Sequence, residues 1–119
     1  MPARVLIVDD HEVVRMGIRM ALSRDSQVKV CGEAGDGLDA LRKVLELSPD
    51  VVILDLTMPG MSGFQTAKQI RRLAPLVKII LYSIHEMPTV ARLSGADAFV
   101  SKSSSPQELT MTVNRVLFG

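Results

Sequence analysis

Five short apolar runs alternate along the chain with stretches in which apolar positions recur at helical spacing. Residues 4–8 (RVLIV) are largely β-branched up to Asp9-Asp10 and predict a first strand. Val14, Gly17, Ile18, Ala21 and Leu22 then recur at the spacing of one helix face. Residues 28–33 predict a second strand, and the glycines at 35 and 37 turn it into a helix carrying Leu38, Leu41, Val44 and Leu45. Pro49-Asp50 interrupts the pattern before a third strand over 51–54. Phe64, Ala67, Ile70 and Leu73 mark a third helix that closes before Pro75. Residues 78–82 predict a fourth strand, 88–93 a short helix, and 98–101 a fifth strand. The last helix has an explicit start: Ser105 as N-cap, Pro106 in the first turn, and Glu108 three residues after the cap. Leu109, Val113, Val116 and Leu117 supply its buried stripe.

Strict β/α alternation with near-continuous apolar strands implies an α/β fold, a parallel sheet covered by helices on both faces. Five strands fit the flavodoxin-like doubly wound order 2-1-3-4-5. No linker, repeat or low-complexity tract divides residues 1–119, which read as one domain.

In such a sheet every strand's carboxyl end lies on one edge, where ligands bind near the reversal of strand order. Reading off those ends collects Asp9 and Asp10 from strand one, Asp55 from strand three, Ser83 from strand four and Lys102 from strand five. The stretch VVILDLTMPGMSG (51–63) drives a buried strand up to an acid and then into turn residues, leaving Asp55 accessible among these partners. Three neighbouring carboxylates call for a compensating cation. An all-oxygen acidic cluster suits Mg²⁺, which uses one or two carboxylates and keeps room for a phosphate oxygen. Lys102 and Ser83 are suited to contacting phosphoryl oxygens, and a carboxylate can serve as nucleophile to give an aspartyl-phosphate. Asp55, alone at its strand end, is the candidate.

The formal net charge of +1 gives no drive toward nucleic acid or an anionic membrane, and no apolar run reaches membrane-spanning length. No signal-peptide pattern precedes the first strand. Cys31 stands alone, which excludes an internal disulfide and fits a reducing compartment, the cytoplasm.

Four segments, LIVDDHE (6–12), VVILDLTMPGMSG (51–63), ILYS (80–83) and GADAFVSK (95–102), resemble the signature segments of response-regulator receiver domains, and the wording is most similar to the NarL/FixJ (LuxR-type) class. The resemblance covers essentially the whole chain. It implies that Asp55 accepts a phosphoryl group from a sensor histidine kinase and that the domain catalyses part of its own modification and reset. It further implies that Asp10 and Asp55 ligate Mg²⁺ directly, Asp9 through water, with the Thr57 carbonyl completing the protein ligands. Ser83 and Lys102 would contact the phosphoryl group. Ser83 and Phe99 match the switch positions that rearrange the surface of the fourth helix, fifth strand and fifth helix. Thr57 and His85 match variable positions that tune dephosphorylation. Members of the class commonly carry a C-terminal DNA-binding domain, so the expected output is transcription. The class also implies homodimerisation as one arrangement, with no nucleic-acid contact by the receiver itself. The competing reading is a non-phosphorylated scaffold of the same fold.

One departure stands out. Ser83 and Lys102 lie 19 positions apart, about three fewer than in receivers of this class, which predicts a fourth helix short by one turn of about 3.6 residues. Among the remaining residues, His11 and His85 read as exposed loop residues rather than metal ligands, since an oxygen-rich site does not suit a histidine-bound metal, and Met16 and Met20 as packing or a partner-facing patch. Lys68, Arg71 and Arg72 read as a solvated helix face, and Cys31 as buried and inert.

Overall fold

The computed structural model describes residues 1–84 and 88–119. Strands β1 (Ala3–Val8), β2 (Val28–Ala34), β3 (Val51–Asp55), β4 (Lys78–Ser83) and β5 (Ala98–Ser101) pair in parallel in the order β2-β1-β3-β4-β5. Between and after them run α1 (Glu12–Leu22), α2 (Gly37–Leu47), α3 (Gly63–Leu73), α4 (Pro88–Leu93) and α5 (Pro106–Phe118). The expected doubly wound fold is the one observed. Asp55 and Ser83 are the last residues of their strands, one place beyond the ends predicted for β3 and β4.

Each central strand is apolar on both sides because each side faces helices. Val5 and Ile7 of β1 and Ile53 of β3 pack with Ile18 and Leu22 of α1 and Leu109 and Val113 of α5. Leu6, Val8, Val52 and Leu54 point the other way, toward Ala40 and Val44 of α2 and Ala67 and Ile70 of α3. A one-residue slip would exchange the two cores, so the register is tightly specified.

Three of the helices start where the sequence supplies caps. The Ser105 side chain accepts the Glu108 N–H at the start of α5, and Asp36 accepts that of Asp39 for α2. A full capping box, Ser62 with Gln65, opens α3. Helix α4 has six residues where the others have 11 or 13, the shortening that the chain spacing predicts.

Two helix faces differ from expectation. Leu38 and Leu45 are 70% and 61% exposed, and α2 instead buries Gly37, Ala40 and Val44. A Cβ at Gly37 would lie 2.5 Å from Thr66 Oγ1 and 2.9 Å from Met61 Cβ, so α2 meets the start of α3 too closely for a larger residue. Gly17 lies on the exposed side of α1, with Ile18 and Leu22 facing inward. No helix among the described residues is long and apolar enough to cross a membrane.

Candidate functional site

The order reverses between β1 and β3, and the carboxylates gather at the carboxyl ends of those two strands. Asp9 and Asp55 are 1% and 5% exposed, and Asp10 is partly buried. Lys102, one residue beyond β5, reaches back across the sheet edge. Its Nζ donates to Asp9 Oδ2 at 2.7 Å and lies 3.4 Å from Asp55 Oδ1. The backbone of Lys102 is tied to β4, since its N–H donates to the Ser83 carbonyl at 2.8 Å. Asp9, Asp10, Asp55 and Lys102 therefore meet at one end of the sheet, and Ser83 adjoins them through the backbone of Lys102.

Their backbones are held by specific contacts. The Asp55 carboxylate accepts the Thr57 N–H at 3.3 Å, and Asp9 Oδ1 accepts the His11 N–H at 2.9 Å. Helix α1 begins after His11, whose side chain makes no capping bond, so neither Asp9 nor Asp10 is the helix cap. Gly63 lies directly against β3: a Cβ there would come within 2.0 Å of the Asp55 carbonyl oxygen and 2.5 Å of Leu56 Cα. Only glycine permits that approach, and the Gly63 N–H donates to the Leu56 carbonyl at 2.8 Å. Glycine at 63 thus fixes where Asp55 stands.

The electrostatics follow from burial. Desolvation and the charge of Asp9 push the Asp55 carboxyl above its usual range, while Lys102 and the Thr57 N–H pull it back. Burial also opposes the charge on Lys102, but the Asp9 hydrogen bond and the charge of Asp55 outweigh it and raise its pKa. The donor set fits a hard divalent cation. Asp10 Oδ1 is buried and accepts no hydrogen bond, although His11 Nδ1 lies 3.2 Å away. One ligand atom each from Asp9, Asp10, His11 and Asp55 can be drawn within 4.8 Å of one another. A buried oxygen without a donor is costly, and a cation would satisfy it.

Other candidate residues stand as follows. Thr57 is exposed beside Asp55, and Ser83 is fully buried at the end of β4. Phe99 is half-buried opposite Leu81, packed on the α2/α3 side of the sheet. His85 lies outside the described residues. Cys31 is half-buried rather than buried, and that burial pushes its thiol pKa up.

Two contributors were not legible as site residues. Arg15 donates through Nη1 to the Asp9 carbonyl at 2.6 Å and through Nε to Glu33 of β2 at 3.0 Å, with Arg19 pairing the other Glu33 oxygen. This clamp holds the turn that carries the acid pair against the edge strand. The second is His11, an exposed loop residue that nonetheless turns Nδ1 toward Asp9 and Asp10. Arg71 is the correction to the solvated-face reading: it donates to the carbonyls of Pro75, Val77 and Gly95 and pairs with Asp97.

Residues 5–114 match the family model described as the response regulator receiver domain. Response regulator UvrY of Escherichia coli (strain K12) is 41% identical over 118 residues, covering 97% of this chain and 54% of that protein. The receiver domain of the putative response regulator NarL from Mycobacterium tuberculosis superposes with a TM-score of 0.90 at 36% identity, covering 99% of this chain and 98% of that one. The isolated receiver domain of RcsB from Salmonella enterica serovar Typhimurium, solved in the presence of the phosphomimetic BeF3⁻, gives a TM-score of 0.90 at 29% identity, covering 100% of this chain and 91% of that one. The chain spans about half the length of the curated relatives it matches. With the fold, the strand-end acids and these relatives in agreement, the chain belongs to the receiver domains of two-component response regulators, of the NarL/LuxR type.

Proposed function

We propose that residues 1–119 act as a phosphoacceptor unit whose nucleophile is Asp55. The observation that carries this is the ammonium of Lys102 held 3.4 Å from a buried Asp55 carboxylate. A carboxylate oxygen of Asp55 attacks the phosphorus of a phosphohistidine on a sensor histidine kinase. The P–N bond breaks, its electron pair stays on the imidazole nitrogen, and Asp55 carries an acyl phosphate. Lys102 offsets the charge on the phosphoryl oxygens, and Ser83 donates a hydrogen bond to one of them.

Mg²⁺, held by Asp10, Asp55 and the Thr57 carbonyl with Asp9 acting through water, would supply further neutralisation of phosphoryl charge. Attack by water later releases inorganic phosphate and restores the carboxylate, with Thr57 and His85 setting that rate. Ser83 shifts toward the phosphoryl group and Phe99 turns into the space it leaves, which biases the α4–β5–α5 surface between two conformers. The output is control of transcription through a DNA-binding domain, and the setting is the cytoplasm, which suits the lone half-buried Cys31.

The test is intact-mass measurement after treatment with a small phosphodonor and Mg²⁺. One phosphoryl group is expected on the wild type, none without Mg²⁺ and none on Asp55→Asn. No mass gain in the wild type would favour the scaffold reading instead.

A further inference from the structure

The proposed cation chemistry uses oxygen donors alone, yet the pocket has a nitrogen at its mouth. His11 is set on the turn between β1 and α1 and is fixed by its own backbone, whose N–H donates to Asp9 Oδ1 at 2.9 Å. Its Nδ1 then lies 3.2 Å from Asp10 Oδ1 and 3.3 Å from Asp9 Oδ1. Adjacent donors on an octahedral ion with bonds near 2.1 Å are separated by about 3 Å. The imidazole nitrogen and the orphaned Asp10 oxygen are thus spaced as neighbouring ligands of one ion. The side chain is 68% exposed, so it can rotate into that position without displacing core residues.

We infer that His11 is an inner-sphere nitrogen donor for divalent transition ions at this pocket, setting a preference for them over Mg²⁺. The inference rests on the reading of the acid cluster as a cation site. Mg²⁺ is hard and leaves open positions to water, so the imidazole contributes little to holding it. A first-row transition ion gains from exchanging one such water for an imidazole, and increasingly so along the Irving–Williams series. Asp9, Asp10 and Asp55 supply the charge, and His11 supplies the discrimination. Oxygen-only chemistry remains available to Mg²⁺ in the same pocket.

The experiment uses Mn²⁺, which is paramagnetic and a close size match to Mg²⁺, on the intact chain. Electron spin echo modulation from a bound nitrogen is expected in the wild type and in His85→Ala, and is expected to vanish in His11→Ala. Mn²⁺ affinity should fall at least about tenfold in His11→Ala, while Mg²⁺ affinity measured by competition should stay within about twofold. Mn²⁺ bound with no nitrogen modulation in the wild type would overturn the inference while leaving the cation site standing. Modulation that survives in His11→Ala, or that disappears in His85→Ala, would overturn it as well. If Mn²⁺ does not bind, or binds equally well to Asp10→Ala, the cation site itself fails and the inference falls with it.

Discussion

Lys102 sits closer to Asp9 than to Asp55, 2.7 Å against 3.4 Å, so in the absence of a cation its ammonium chiefly balances the more deeply buried acid. Lys102→Ala leaves two buried carboxylates facing each other. We expect it to cost about 3 kcal/mol in chelator, the scale of breaking a buried charge pair, and much of the loss to return with saturating Mg²⁺. Because the folded-state pKa of Lys102 is raised, its stabilisation is fully present below the ordinary lysine value of 10.5 and is lost only as pH climbs through the raised one. Urea titrations at neutral and alkaline pH check both statements. Equal stability of the two proteins in chelator would contradict them.

Asp55 carries the opposite sign of linkage to an ordinary paired acid. Burial and Asp9 raise its folded-state pKa above 3.8. Its favourable contribution is therefore present at acid pH and lost as pH rises through the raised value. Asp55→Asn, assayed without divalent cations, should gain stability over the wild type as pH moves from acid to neutral, read as a Tm difference that grows with pH. A Tm difference that is flat with pH would show that the carboxylate is not strained by its neighbours.

Two glycines make opposite predictions. Gly63→Ala forces a methyl against β3 backbone 2.0 Å away that cannot yield. The expected cost is about 3 kcal/mol or more, together with loss of phosphoryl uptake because Asp55 is displaced. Gly17→Ala meets nothing within 4 Å inside α1 and should stabilise by about 0.5–1 kcal/mol through helix propensity. Thermal unfolding of the two variants side by side decides the matter.

Arg71 ties the end of α3 to the turn before β5. It bonds the Val77 carbonyl at 2.6 Å, the Gly95 carbonyl at 2.9 Å and Asp97 Oδ2 at 2.9 Å, while Asp97 in turn accepts the Ile79 N–H at 2.8 Å. Arg71→Ala should cost about 1–2 kcal/mol, the range for unmaking such bonds. It should also speed hydrogen exchange at the amides of Ile79 and Asp97 ahead of those of β1 and β3. Unchanged exchange there would mean that the clamp is dispensable.

The strands and the five residues at their ends were legible because a doubly covered parallel strand is an unbroken apolar run, and its end is marked by the first polar residue. The buried faces of α1 and α2 were less so. Apolar spacing in α2 admits two stripes, and Leu38 and Leu45 belong to the outer one. The inner one is built from Gly37 and Ala40, whose value lies in their small size rather than their hydropathy. Arg71 read as a solvated residue because its partners are mostly backbone carbonyls, those of Pro75, Val77 and Gly95, which no side-chain pattern announces. The turn of His11 toward the acids depends on a backbone hydrogen bond to Asp9, a local geometry that residue spacing does not encode. Gly63 was visible as a turn residue, but its contact with Asp55 depends on how α3 docks.

In the proposed function, Asp55 is the residue that takes the phosphoryl group. Borohydride reduction of the phosphorylated chain converts an aspartyl-phosphate to homoserine, and tandem mass spectrometry of the peptides then locates it. Homoserine is expected at position 55 alone, dependent on Mg²⁺ during the phosphorylation step. Homoserine at position 9 or 10, or stable phosphate on a hydroxyl residue with position 55 intact, would contradict it.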